Sequence, residues 1–253
     1  MNPDLVVVAP TTPAAECRQQ MRECGLRRLP VVDGDALIGC VTDVRAFGPH
    51  PADATAADLV EGAPMIAHPD DTLYDTLQRC LASMQEAVLV LDRGRVVGIL
   101  TEHDVVVRAS AVLPATVTVG AVATPSVTAI DAASPASQAL NDMRRSFIRH
   151  LIVTEGDRLF GVLSIRDLLA QRLDGRTAGQ CVRGPVQWTT TWDTPLIEAA
   201  DTLARHHIGC LPVVSVATPD RVEGVVCRSD VMRAVMRSGA VGAADLTVNR
   251  SSG

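Results

Sequence analysis

Thr101 with Asp104, and Ser164 with Asp167, each set a hydroxyl three residues ahead of a carboxylate, directly after a short apolar run that opens on glycine. At the start of a helix this spacing forms a capping box: the hydroxyl accepts from the N3 amide and the N3 carboxylate accepts from the N-cap amide. Starting a helix is the commoner role of an isolated Ser/Thr-x-x-Asp, because the motif is short. The same geometry also suits a ligand. A helix N-terminus offers free N–H groups and a favourable dipole to phosphate, and a first-turn carboxylate can accept both vicinal hydroxyls of a ribose. Carboxylate for ribose, hydroxyl and amides for phosphate, and an apolar wall for the base make a coherent nucleotide site.

Other chemistry is poorly served. The six histidines, His50, His68, His103, His150, His206 and His207, include no His-x-x-x-His and no His/Cys ligand set, so no metal centre is expected. No Gly-x-Ser-x-Gly elbow, Walker loop or Gly-x-Gly-x-x-Gly fingerprint occurs, and no leftover segment is large enough for a catalytic domain, so the chain reads as a non-enzyme. A net charge of −6 without a basic block argues against nucleic acid as a partner. All 23 Lys+Arg side chains are Arg, so a bound phosphate would be met by Arg, His or backbone N–H groups. The seven cysteines form no Cys-x-x-Cys pair and sit mostly in apolar runs, as small hydrophobes of a reducing compartment. Without a basic-start leader or a bilayer-length apolar stretch, the expected location is the cytoplasm, with no membrane partner.

The glycine-led run is one of four copies. Gly39-Cys-Val-Thr-Asp-Val-Arg45, Gly98-Ile-Leu-Thr-Glu-His-Asp104, Gly161-Val-Leu-Ser-Ile-Arg-Asp167 and Gly224-Val-Val-Cys-Arg-Ser-Asp230 follow one another at 59, 63 and 63 residues. Such a period marks a small folded unit.

Each unit is expected to run strand, helix, strand, strand, helix. First strands are predicted at 5–8, 64–67, 126–130 and 186–190. Thr12-Pro13, Ser134-Pro135 and Thr194-Pro195 predict an N-cap residue followed by proline at the first helical position, with Asp71-Thr72 in the equivalent place. Leu73, Leu77, Cys80, Leu81 and Met84, or Leu140, Met143 and Phe147, recur at helical spacing and predict one buried face. Runs such as Leu29-Pro-Val-Val-Asp33 and Leu211-Pro-Val-Val214 lead into the glycine strand by hairpins at Asp33-Gly34, Arg93-Gly94 and Glu155-Gly156, with a longer loop at 215–220. The final helix, predicted to open at the Ser or Thr of the motif and to run through 105–111, 168–173 or 231–236, is cut short at Gly48-Pro49 in the first unit. With 47% apolar and 2% aromatic residues the core must be aliphatic. A unit of about sixty residues is marginal alone, and pairing units is the natural remedy.

In this order of elements the four copies resemble cystathionine beta-synthase (CBS) domains, over about residues 5–236. The resemblance implies an α+β fold of four CBS repeats, at 1–48, 55–111, 117–173 and 176–238. These would pair as two Bateman modules, 1–111 and 117–238, ahead of a poorly ordered tail at 239–253. It implies a regulatory role: family members bind adenosine-containing ligands (AMP, ADP, ATP, S-adenosylmethionine, NAD(H) or cyclic dinucleotides) in clefts between paired repeats and pass occupancy to a partner. Here that means no required cofactor, an adenine nucleotide (AMP, ADP or ATP) or S-adenosylmethionine as regulatory ligand, and an unknown protein partner. The layout resembles the gamma subunit of AMP-activated protein kinase, and the chain is expected as a monomer with internal module pairing or as a homodimer.

The resemblance implies an adenine floor from Ile66 and Ala87 in the second repeat, Ala129 and His150 in the third and Thr189 in the fourth. Thr101, Asp104, Ser164 and Asp167 then serve ribose and phosphate, with Arg166 and Arg228 as phosphate partners alongside Arg149, His150 and either His206 or His207. The fourth repeat keeps Asp230 but has Cys227 at the cap, an altered site. The first keeps Thr42 but has Arg45 where the acid belongs, so its site is expected to be empty or to lend Arg45 to a neighbouring phosphate. Trp188 and Trp192 are placed either to stack on a base or to pack a loop onto the core. The decay in the first and fourth repeats supports an alternative: a ligand-free interaction or dimerisation scaffold with degenerate sites.

Overall fold

The computed structural model describes residues 5–239 other than Met84, Glu86, Ser126, Ala170 and Pro185. The expected helix-face residue Met84, the strand start at Ser126 and the tail beyond Gly239 lie outside the described residues. Two compact units are formed, one by the chain up to Asp104 and one by Val105–Gly239.

In the first unit, repeat one comprises α1 (Ala14–Glu23), β1 (Arg28–Asp33), β2 (Ala36–Thr42) and α2 (Asp43–Phe47), followed by α3 (Ala56–Leu59). Repeat two comprises β3 (Ile66–Ala67), α4 (Leu73–Ala82), β4 (Ala87–Asp92) and β5 (Arg95–Thr101), and opens α5 (Glu102–Val107). The second unit holds α6 (Ala109–Val112) and a 3-10 turn at Val119–Ala121. Repeat three follows as β6 (Ala129–Asp131), α7 (Ala136–Arg145), β7 (His150–Glu155), β8 (Arg158–Ser164) and α8 (Ile165–Leu169), with α9 (Ala178–Cys181) after it. Repeat four comprises α10 (Leu196–Arg205), β9 (Cys210–Val214), β10 (Val222–Cys227) and α11 (Arg228–Arg237).

The hairpins form where the turn signals stand. At Arg93-Gly94 both turn residues have positive φ, 50° and 85°, the two-residue type that matches strand twist. All four hairpins carry an irregularity at the same register, Val31/Val32, Val90/Leu91, Val153/Thr154 and Val222/Gly224.

Three expectations are corrected. The first strand survives as β3 and β6 in the middle repeats, but in the outer repeats it shrinks to single bridges, Val8 to Val31 and Thr190 to Val213. The cause is Pro30 and Pro212. In the middle repeats Leu89 and Ile152 occupy that register and donate their N–H groups to the carbonyls of Met65 and Thr128, at 2.9 and 3.4 Å. Proline has no N–H to donate, so one rung of the ladder is missing. Next, the helices after Thr12-Pro13, Ser134-Pro135 and Thr194-Pro195 begin one residue later than expected. The prolines have ψ of 142°, 136° and 132°, which is extended, and so stand at the N-cap. The carbonyls just before them take amides from a neighbouring segment, Ala56 to Thr12, Ala178 to Ser134 and Val119 to Thr194. Lastly, α5 stops at Val107 and a separate turn, α6, follows.

The core is aliphatic. Cys17, Met21, Leu29, Val31 and Leu59 fill repeat one, and Met143, Leu151, Val153, Leu163 and Leu168 fill repeat three. Cys40, Leu89 and Leu91, with Leu37, Val96 and Ile99 against them, join the sheets of repeats one and two. In the second unit Leu159 N–H donates to the Asp220 carbonyl at 2.8 Å and Arg158 meets the Asp220 carboxylate at 3.1 Å, tying repeat three to repeat four.

In repeats one, three and four the glycine that opens the motif sits under a neighbouring segment. Val60 covers Gly39 and Val182 covers Gly161, so the segment following each repeat closes over that repeat. Gly224 lies instead under the Trp192 ring and the Thr124 carbonyl. The segment that follows repeat two thus closes over repeat four, through bridges from Thr118 to Pro195 and from Thr124 to Val225.

Candidate functional site

The four glycine strands deliver their cap residues to one register. Thr42 lies opposite Arg28, Thr101 opposite Ala87, Ser164 opposite His150 and Cys227 opposite Cys210. Each cap therefore faces the first residue of the preceding strand, which brings the expected residues Ala87 and Thr101, and His150 and Ser164, side by side.

In repeat two the capping box is closed. Thr101 donates its N–H and its hydroxyl to Asp104 Oδ2 at 2.7 and 2.6 Å, and the Asp104 N–H donates back to the hydroxyl at 3.3 Å. Among the described residues, Oδ1 of Asp104 accepts no bond. In repeat three Ser164 donates its N–H and hydroxyl to Asp167 Oδ2 at 3.0 and 2.5 Å. Here the second oxygen is also taken, since Arg183 Nε lies 2.5 Å from Oδ1. In repeat four Asp230 accepts from the Cys227 N–H at 2.8 Å and from Arg233 at 2.7 Å. Burial pushes the Asp230 carboxyl above its ordinary value, outweighing the Cys227 amide and the Arg233 charge. In repeat one the Arg45 N–H donates to the Thr42 hydroxyl at 3.2 Å and Arg45 Nε lies 3.7 Å from Glu61.

Within the first unit a cleft of about 170 Å³ opens between the paired repeats. Arg28 and Thr42 line it from repeat one, Glu61 from the segment that follows α3, and Pro64, Ala87 and Leu89 from repeat two. Cys40 is also in its wall, and burial pushes that thiol up to about 11. Ala87 is the one residue of the expected set that lines it. Ile66, on β3, pairs with Leu89 in register, and Ala129, on β6, holds the equivalent place opposite Ile152. Thr189 is exposed beside the buried Thr190.

The arginines differ in disposition. Arg166 is half-buried on the first turn of α8, whereas Arg228 is buried and donates to the Leu203 carbonyl at 3.3 Å. Trp188 stacks on His206 with ring centroids 3.8 Å apart, and Trp192 donates to Glu223 at 2.9 Å, so both pack within repeat four. His150 lies against Gly209, where a Cβ would come within 2.5 Å of Nε2. A second hollow of about 450 Å³, walled by Glu155, Arg158, Phe160 and Val182, contains none of the expected residues.

Sequence reasoning missed Arg28, Glu61 and Arg183. Arg28 had a signal: it precedes Leu-Pro-Val-Val as His150 precedes Leu-Ile-Val. Among the described residues no group of three or more His, Cys, Asp or Glu is placed to hold a metal, and no helix is long and apolar enough to cross a membrane.

Comparison with known proteins agrees with this architecture. The CBS domain family matches residues 1–45, 56–110, 119–174 and 193–237. The crystal structure of a Methanocaldococcus jannaschii protein, described as a candidate archaeal homolog of γ-AMPK, aligns with a TM-score of 0.75 at 18% identity, covering 92% of this chain and 96% of that one. A conserved protein from Pyrococcus horikoshii aligns with a TM-score of 0.67 at 21% identity, covering 93% and 97%. In sequence, 109 residues are 28% identical to inosine-5'-monophosphate dehydrogenase of Korarchaeum cryptofilum; they make up 42% of this chain and only 23% of that protein. With its motif repeated four times in register and family matches across most of its length, the chain belongs to the CBS domain family, its four repeats arranged as two Bateman modules.

Proposed function

We propose that this chain is a non-catalytic cytoplasmic regulator. It binds an adenosine-containing ligand, AMP, ADP, ATP or S-adenosylmethionine, in clefts between paired repeats and transmits occupancy to a protein partner. The observation that carries the reading is the cleft of the first unit, where an apolar wall of Pro64, Ala87 and Leu89 faces the hydroxyl of Thr42 and the charge of Arg28. Apolar surface for a base beside a few convergent polar groups is the usual composition of a small-molecule site. Occupancy is passed on only if the ligand binds one packing of the repeats better than another.

The carboxylates rank differently for ribose. Asp104 keeps one oxygen open, Asp167 must first part from Arg183, and Asp230 is closed in by Cys227 and Arg233. The engagement of Asp167 and Asp230 favours a second reading, a ligand-free interaction or dimerisation scaffold. Thermal unfolding against AMP, ADP, ATP, S-adenosylmethionine, NADH and cyclic di-AMP separates the two. A ligand at a hundred times its Kd stabilises the fold by about 2.7 kcal/mol. A shift that Asp104→Asn reduces supports the sensor, and no shift with any of them leaves the scaffold.

A further inference from the structure

In repeat four the two residues that stand opposite each other at the cap are both thiols. Cys210 opens β9 and is the register partner of Cys227, which closes β10. The Arg228 N–H donates to the Gly209 carbonyl at 3.2 Å, one step outside the pair. Cys210 and Cys227 are therefore a non-hydrogen-bonded pair, the type whose Cα atoms approach to about 4.5 Å and whose side chains come closest. That separation falls within the roughly 4.4–6.8 Å that a disulfide spans. The Cys227 side chain, and then burial, hold the Cys210 thiol well above its ordinary value. Cys210 is buried, while Cys227 is partly exposed at the N-terminus of α11. In the other three repeats the same two places hold Arg and Thr, Ala and Thr, and His and Ser.

We propose that Cys210 and Cys227 form a reversible intramolecular disulfide when the protein meets a peroxide. The thiolate of the more exposed Cys227 attacks a peroxide oxygen; the O–O bond breaks, giving a sulfenic acid and, after protonation, water. The Cys210 sulfur then attacks the Cys227 sulfur, the S–O bond breaks, and a second water leaves with the Cys210 proton. Two thiols and one hydrogen peroxide thus give one disulfide and two waters, with two electrons passing from sulfur to oxygen. The bridge lands on a helix cap. Cys227 stands at the N-cap of α11, and capture of its Sγ by Cys210 would redirect that side chain from the start of the helix. Peroxide would then act at the repeat whose capping hydroxyl has been replaced.

The test treats the full chain with hydrogen peroxide, blocks remaining thiols with N-ethylmaleimide and maps peptides without reduction. The exposed Cys24 is the internal control for indiscriminate oxidation. The expected product is a peptide pair joined through Cys210 and Cys227 that dithiothreitol separates. The pair should be absent from the variant carrying Cys210→Ala and Cys227→Ser, whose residues copy Ala87 and Ser164 of the neighbouring repeats. Maleimide on both Cys210 and Cys227 after Cys24 has been oxidised would overturn the proposal, as would Cys227 carried to sulfinic acid while Cys210 stays alkylated.

Discussion

Arg183 meets Asp167 across 2.5 Å in repeat three, sixteen residues further along the chain, and at the same offset in repeat one Glu61 faces Arg45. The signs are exchanged. Val60 covers Gly39 just before Glu61, and Val182 covers Gly161 just before Arg183, so the two ion pairs occupy equivalent places. The arginine in the acid's position of repeat one is therefore one half of a charge-swapped pair, and its partner changed with it. Arg183 is 69% exposed, and exposed pairs contribute only about 0–1 kcal/mol, so a bound ligand can compete for Asp167.

Removing the competitor should help a ribose reach the carboxylate. Arg183→Gln is expected to tighten an adenosine ligand at repeat three by up to about fivefold, the equivalent of about 1 kcal/mol. Titration calorimetry of wild type and variant reads this directly. Weaker binding would instead make Arg183 a contact of the ligand.

The swapped pair should be transferable. Arg45→Asp alone sets two carboxylates together and is expected to cost about 0.2–1 kcal/mol, which Glu61→Arg should restore in the double variant. Urea denaturation of the four forms closes the cycle, and additive losses would show that the pair is not coupled.

Gly161 is required by the closeness of its cover. A Cβ there would lie 2.5 Å from Val182 Cγ1, so Gly161→Ala is expected to cost about 1–3 kcal/mol. Val182→Ala should recover part of that loss, measured as a rise in Tm of the double variant over Gly161→Ala.

Asp230 gives the second unit a pH dependence of unusual sign. Burial raises its carboxyl above 3.8, the unfolded value, so the unfolded chain releases this proton first as pH rises. Its contribution is fully present below 3.8 and is lost as pH climbs through the raised native value. Relative to Asp230→Asn, the wild type should lose stability as pH rises from 3.8 through the raised native value. Tm differences across that range test it, and a constant difference would refute it.

Cys40 should be inert although it lines a cleft. With its thiol at about 11, only about a thousandth is thiolate at pH 8. Iodoacetamide at that pH should label the exposed Cys24 and spare Cys40, as read by mass spectrometry of the peptides.

What the sequence revealed is what is local. The period, the hairpin turns and the boxes at Thr101–Asp104 and Ser164–Asp167 all depend on residues within a few positions of one another, and all formed. Pro30 and Pro212 sit in runs whose apolar character predicts strand, yet their missing N–H groups erase most of the strand beside them, an effect on a neighbour twenty or more residues away. The helix starts moved by one because a proline accepts either the first helical turn or the extended cap, and contacts from α3, the 3-10 turn and α9 select the cap. Arg183 and Glu61 lie outside the repeated motif, and comparing repeats one and three at equal offsets would have exposed them.

The closure of repeat four by the segment after repeat two carries a consequence for synthesis on the ribosome. Thr124 leaves the exit tunnel 101 residues ahead of Val225, its bridge partner. At about 5–20 residues per second that is a wait of roughly 5–20 s. Repeats one and three meet their covering segments within some twenty residues of their own motifs, whereas repeat four must capture one made before repeat three existed. A nascent chain halted before Val225 would therefore hold out an unmatched edge, a ready handle for a chaperone or for a second nascent copy.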